Sequence, residues 1–322
     1  MRMILALASL AAAIGALAPH AGAAQHASAL APAFSAKELT ASPTDSWITN
    51  GGNVYNQRYS PLTRINRDNV AQLKPQWRTH LNGSGTESKY SGQAQPLVYD
   101  GVIYVATGAN DVFALDVDTG KILWTYQAHL DAGITVVCCG WMSRGVALGD
   151  GKVYAGQLDG KLVALDQRTG AVVWSVQAET NANGFSITTA PLYYDGLVIT
   201  GFAGGDRGSR GRVKAFDART GKPVWTFYTI PGPGELGHDT WPADNDTWEY
   251  GGAAVWQTPA VDPSLGLVYF STGNPGPDLN GSVRTRKVGG LGVHFLRSLM
   301  DDVAYSRRDG GNRLRMTKKI TS

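Results

Sequence analysis

Cysteine is almost absent from this chain. Only two of 322 residues are cysteine, and they are neighbours, Cys138 and Cys139. A scaffold stapled by many disulfides is therefore excluded. Charge is also sparse, at 17% of residues, with 29 basic against 26 acidic side chains. A formal charge of +3 is too small to point to a nucleic-acid partner. The six histidines show no His-x-x-x-His or similar ligand spacing, so no zinc site is legible. Beyond the first 24 residues no apolar run approaches the length of a membrane span, and the mature chain is expected to have no transmembrane segment. Disorder is excluded as well, because 43% of residues are hydrophobic and a chain of this length can bury a sizeable core.

The one long apolar run lies at the start. Arg2 supplies a positive end, Met3 to Ala18 is interrupted only by Ser9 and Gly15, and Ala21-Gly22-Ala23 fits a small-residue cleavage site. Residues 1–23 thus read as a cleaved export signal to an oxidising destination rather than as a membrane anchor, the run being short for a bilayer and without basic residues on its far flank. Residues 24–44 read as a linker. At the other end, residues 285–322 hold nine Lys+Arg, three Asp+Glu and no Trp, leaving 20 basic and 23 acidic residues in 1–284. This divergent basic tail is expected to be disordered, or the product of a shifted frame or a fused fragment. A membrane- or nucleic-acid-binding tail is the other reading of its composition.

Glycine and tryptophan are what the sequence has in quantity, with 40 and nine residues. They recur together. Ala114-Leu-Asp-Val-Asp-Thr-Gly-Lys-Ile-Leu-Trp124 returns as Ala164-Leu-Asp-Gln-Arg-Thr-Gly-Ala-Val-Val-Trp174 and as Ala215-Phe-Asp-Ala-Arg-Thr-Gly-Lys-Pro-Val-Trp225, starting 50 and then 51 residues later. A weaker copy runs from Ala260 to Phe270, and Asp100-Gly, Asp150-Gly and Asp195-Gly open the units. Asp-Gly and Thr-Gly supply the positive-φ turns of β-hairpins, and the β-branched and aromatic residues between them favour strands. A single small sheet cannot bury its own face, so a fixed-period repeat with several strands per unit predicts an all-β propeller or solenoid. Residues 45–284 would hold about five such units at this period.

These repeats resemble the tryptophan-docking motif of the pyrroloquinoline quinone (PQQ) alcohol dehydrogenases, and Trp47 to Arg284 resembles their methanol/ethanol dehydrogenase branch. The resemblance implies an incomplete β-propeller, about five blades of the family's eight-bladed ring. It implies PQQ and calcium (Ca2+) as cofactors, a small alcohol as substrate, and cytochrome c or a similar electron acceptor as partner. It also assigns residues. Cys138 and Cys139, in Val137-Cys-Cys-Gly-Trp-Met-Ser-Arg144-Gly, match the vicinal disulfide that covers one face of PQQ in the family. Adjacent α-carbons lie only ~3.8 Å apart, so such a bridge is strained, and two free thiols are the other reading. Arg144 matches the arginine that meets the anionic cofactor, and Trp256 the indole stacked on the opposite face. Thr188, Gly204 and Gly205 match cofactor contacts. Asp206 and Asn274 match the calcium ligands, and Gln93 stands near the quinone.

Two of these depart from the family pattern, which has Glu at the positions of Gln93 and Asp206. The shorter aspartate remains a hard oxygen donor. The family's catalytic base, an Asp, lies beyond the divergence after Arg284, and Asp301 and Asp302 in the tail are not assigned that role. An enzyme by descent, with little activity in this chain, is the leading reading; a non-catalytic envelope propeller used as an interaction scaffold is the alternative.

Overall fold

A computed structural model describes residues 28–84, 89–135, 137 and 140–274, together with the backbone of 302–308 and 311–317. The presumed export signal and both cysteines lie outside the described residues. Helix α1 (Ala36–Thr40) is followed by β1 (Tyr90–Gly92) and a first four-stranded sheet, β2 (Leu97–Tyr99), β3 (Val102–Ala106), β4 (Val112–Asp116) and β5 (Ile122–Tyr126). Next come β6 (Trp141–Ser143), paired in parallel with β1, and a second sheet, β7 (Val146–Gly149), β8 (Lys152–Gly156), β9 (Lys161–Asp166) and β10 (Val172–Gln177). A third comprises β11 (Leu192–Tyr194), β12 (Leu197–Gly201), β13 (Arg212–Asp217) and β14 (Pro223–Tyr228). A two-stranded fourth is begun by β15 (Ala260–Asp262) and β16 (Leu267–Tyr269). Within each four-stranded sheet the strands follow chain order and pair antiparallel, which is the up-and-down meander of a propeller blade.

The repeat does what its turn chemistry dictates. Asp100-Gly101, Asp150-Gly151 and Asp195-Gly196 all have positive φ at both residues, the type I′ geometry of a two-residue hairpin. In each Asp-x-x-Thr-Gly turn the carboxylate accepts from the threonine hydroxyl, at 2.6 Å for Asp116 and Thr119 and 2.6 Å for Asp217 and Thr220. That bond and the Thr119 N–H hold the Asp116 carboxyl below its ordinary range. A lowered folded pKa contributes stability above the unfolded carboxylate range and loses it as pH falls. Thr119→Val is therefore expected to lower the thermal midpoint at pH 7, with the deficit shrinking between pH 5 and pH 3; a pH series of melting curves checks this.

Blades join through tryptophan. The indole N–H of Trp124 donates to the Gln167 carbonyl (2.9 Å) and that of Trp174 to the Ala218 carbonyl (3.1 Å). Trp77, upstream of the first blade, donates likewise to Val117 (3.0 Å). A Cβ on Gly170 would come within 2.5 Å of the Trp124 ring, and Gly221 faces Trp174 in the same way, so these glycines serve both the positive-φ turn and the seat for the indole. The rhythm fails at the fourth copy, where Gly266 has no atom within 4 Å of the place a Cβ would occupy.

Where the period predicts about five units, three complete blades and a begun fourth are found among the described residues. The material before them forms other structure. Residues 57–80 are mostly exposed and hold a single 3-10 turn, Val70–Gln72, with Trp77 pinning the segment. The expected linker over 24–44 is packed in its described part. Ser35 caps α1 through a reciprocal bond with Glu38, and Ala31, Phe34 and Leu39 are buried in the main core cluster. The Ala31 N–H donates to the Gln167 side chain and its carbonyl accepts from Gly151, so this stretch straps the second blade. The tail, expected to be disordered, contains an antiparallel hairpin of β17 (Asp302–Arg308) and β18 (Gly311–Thr317).

Candidate functional site

The segments that enter the blades converge on one cavity of about 530 Å³. Its wall includes Met142 and Arg144 from the run into β7, Ser186 and Thr188 before β11, and Gly204 to Arg207 after β12. Ala254 and Trp256 precede β15, and Gly273 and Asn274 follow β16. Residues as far apart in sequence as Arg144 and Asn274 thus share one wall, because the second blade contributes the segment entering its first strand, and the third blade and the begun fourth each contribute the same end of their first two strands.

Arg144 is half-buried. One guanidinium nitrogen donates to the Thr188 carbonyl (3.2 Å) and lies 3.4 Å from the Trp256 carbonyl, while the group sits 4.9 Å from the Trp256 ring centre. Burial pulls its pKa below the ordinary value, although a guanidinium keeps its proton at neutral pH. Among the described residues no carboxylate pairs with it. A cation held this way is costly unless an anion arrives. Trp256, 38% exposed, presents a rigid aromatic face to the cavity.

Asp206 and Asn274 meet across the cavity wall. The Asn274 amide donates to the Asp206 carboxylate at 2.8 Å, and Asn274 is held by a carbonyl bond from Ala253 N–H at 2.9 Å. Gly273 N–H donates to Ala254 at 2.7 Å, so this segment is laced to the one that carries Trp256. Gly204 and Gly205 line the cavity, but their lack of a side chain answers to the protein itself. A Cβ on Gly204, which has φ +124°, would strike the Gly184 carbonyl, and one on Gly205 would press on Ala254. Gln93 is not brought in: it is exposed, bonds Ser91 at 3.0 Å and does not line the cavity. Arg207 and Ser186 line it without having been singled out in the sequence. Arg207 directly follows Asp206 in a Gly-bounded turn, and that position next to a matched site residue is the signal that could have marked it.

The fold and this cavity define the class: the chain belongs to the PQQ dehydrogenase β-propeller family. The model of that family, described as glucose/ethanol/alcohol dehydrogenase, beta-propeller domain, matches residues 47–290. The chain is 40% identical over 247 residues to the quinoprotein alcohol dehydrogenase PedH of Pseudomonas putida, covering 71% of this chain and 40% of PedH. It is 35% identical over 264 residues to subunit 1 of the methanol dehydrogenase [cytochrome c] of Methylobacterium organophilum, covering 72% and 40%. Among solved structures, the quinohemoprotein alcohol dehydrogenase ADHIIG of Pseudomonas putida superposes with a TM-score of 0.66 at 37% identity, covering 72% of this chain and 35% of that one. The chain spans about two fifths or less of the length of these relatives. A second family model, histidine kinase-like ATPase domain, matches residues 266–318.

Proposed function

We propose that the cavity binds PQQ together with calcium, and that the chain is the N-terminal part of a periplasmic quinoprotein for the oxidation of small alcohols, with cytochrome c or a similar acceptor. The observation that carries this reading is the half-buried Arg144, with no carboxylate partner among the described residues, beside the Trp256 ring and lining one cavity with the Asp206–Asn274 pair. An anionic planar ring suits the first two, and a hard cation suits the second. Calcium takes six to eight oxygens, so Asp206 and Asn274 would be a minority of its ligands. The Asn274 amide turns its nitrogen to the carboxylate here; with a cation between them the oxygen would face inward.

When bound, the quinone supplies the hydride acceptor and calcium the Lewis acid that polarises it. The chain's own residues would position it: Arg144 would meet its carboxylate charge, Trp256 would form one wall, and the Cys138–Cys139 vicinal disulfide that the family resemblance implies would form the other. Among the described residues Asp206 is the only carboxylate that lines the cavity. A carboxylate engaged by a cation is a poor base, so among the described residues no lining carboxylate is left to take the hydroxyl proton. Binding without appreciable dye-linked alcohol oxidation is the expected result.

Titration of the purified chain with PQQ, followed by quenching of tryptophan fluorescence with and without calcium, tests the reading. Saturable, calcium-enhanced quenching is expected. Asp206→Ala should abolish the calcium effect, and Asp206→Glu should strengthen it by restoring the longer reach. Absence of saturable quenching in the parent chain would refute cofactor binding, and clear turnover would refute the inactivity.

A further inference from the structure

Behind Arg144 lies a ten-residue loop, Thr49 to Arg58, that no sequence signal marked. It is folded tightly on itself: Gly52 N–H donates to Thr49, Asn56 N–H to Asn53 and Arg58 N–H to Gly51. Asn56 and Arg58 both take φ +55°. From this coil single side chains reach three blades. Arg58 donates to the Gln95 side chain just before β2 (3.1 Å), and Asn56 donates to the Thr258 carbonyl just before β15 (3.0 Å). Asn50, 4% exposed, donates to the Arg144 carbonyl just before β7 (2.9 Å).

The Asn50 contact is specific in both halves of the amide. Its nitrogen faces a carbonyl, and its oxygen lies 3.4 Å from the Arg58 guanidinium, so only one orientation satisfies both. Thr258 also stands 3.4 Å from that oxygen, but its single hydroxyl proton has a better acceptor in Ala190, at 2.9 Å. The Arg144 carbonyl receives a second bond, from Gln95 N–H at 3.1 Å, while Arg144 N–H donates to Thr188 at 3.1 Å. Gly145 follows at φ +134°, and a Cβ there would press on Gln95 and on the Asn50 amide. The backbone that carries Arg144 is thus fixed on one side by Thr188 and on the other by Asn50 and Gln95.

We infer that Asn50 is a positioning residue for the cavity: from outside its wall it clamps the Arg144 peptide, and so aims the guanidinium at the place where the anionic ring would lie. This rests on the cofactor reading above for its consequence, though not for its geometry. A neighbouring glycine at position 145 leaves that peptide with little stiffness of its own, so the clamp must come from another segment.

Asn50→Asp tests it. The aspartate keeps the size and pairs with Arg58, but replaces the donor to the Arg144 carbonyl with an oxygen. Thr258→Val serves as the structural control, since it removes a buried hydroxyl bond in the same cluster without touching Arg144. Two readouts are used on the full chain: PQQ affinity by fluorescence quenching, and deuterium uptake of the peptide covering 140–146 with no cofactor present. Asn50→Asp is expected to weaken PQQ binding roughly five- to tenfold, about the effect of one lost hydrogen bond. It should also speed exchange at 140–146 while leaving β8 and β9 protected. Thr258→Val should lower the melting temperature and change neither readout. Parental affinity and parental exchange in Asn50→Asp would overturn the inference, as would equal losses in both variants. Should the aspartate variant fail to fold, Asn50→Ser removes the amide without adding charge and is read in the same way. If the parent chain binds no PQQ, the cofactor reading falls, and the exchange measurement still decides the role of Asn50.

Discussion

Trp124→Ala is expected to cost about 3–5 kcal/mol of folding stability, at the upper end for a large-to-small core change. The residue is 8% exposed and joins two blades at once. Its ring packs at 6.1 Å from Tyr104 in its own blade and covers Gly170 in the next, while its N–H satisfies the Gln167 carbonyl. Truncation removes the ring, opens a cavity between blades and leaves that carbonyl without its indole partner. In a repeat architecture each unit is stabilised mainly by its neighbours, so the loss falls on the junction. Trp225→Ala is the contrast: its ring is only partly buried, and the turn glycine of the following repeat, Gly266, faces open space. It should cost clearly less. Urea unfolding checks both, the shift in midpoint giving the cost if the slope is unchanged. Equal costs would mean that docking contributes little and that apolar burial alone sets the junction.

The contrast between those two tryptophans also shows how much was legible in the sequence. The hairpin turns and the docking motif were readable because their chemistry is local: Asp-Gly sets a turn, and Asp-x-x-Thr-Gly ties itself with its own carboxylate. Arg144, Thr188, Asp206, Trp256 and Asn274 were assigned through family pattern, and they do share one cavity. Contacts made by segments with no periodicity were not readable. Residues 28–44 look like a linker in composition, yet three of their side chains enter the core because Gln167 and Gly151, over a hundred positions away, offer the backbone its partners. Gln93 sat in a plausible frame but turns to Ser91 instead of the cavity. Gly204, matched to a cofactor contact, does line the cavity, but the space its Cβ would need is taken by the Gly184 carbonyl. In each case the deciding neighbour is distant in sequence, and spacing carries no information about it.

Arg144→Met should separate function from stability more sharply than any other substitution in this chain. If the guanidinium receives an anionic ring, its removal takes away charge-assisted bonds worth about 1.5–3 kcal/mol, a loss of PQQ affinity of roughly ten- to 150-fold. The same change relieves the apo protein of a half-buried cation that has no acidic partner among the described residues, and puts a flexible apolar chain against Trp256. The melting temperature should therefore hold or rise while binding collapses. Arg144→Lys should recover only part of the affinity, because a point charge cannot fork between the Thr188 carbonyl and a ligand carboxylate. Binding to the parent should weaken with added salt, and the methionine variant should lose that dependence. A purely structural Arg144 gives the opposite pattern: its bonds to the Thr188 and Trp256 carbonyls would be missed on folding, the melting temperature would drop, and PQQ affinity would stay near the parental value. A side chain whose removal stabilises the fold and disables binding is held in place by selection on the ligand, and paired melting and titration curves for the three proteins distinguish the two cases.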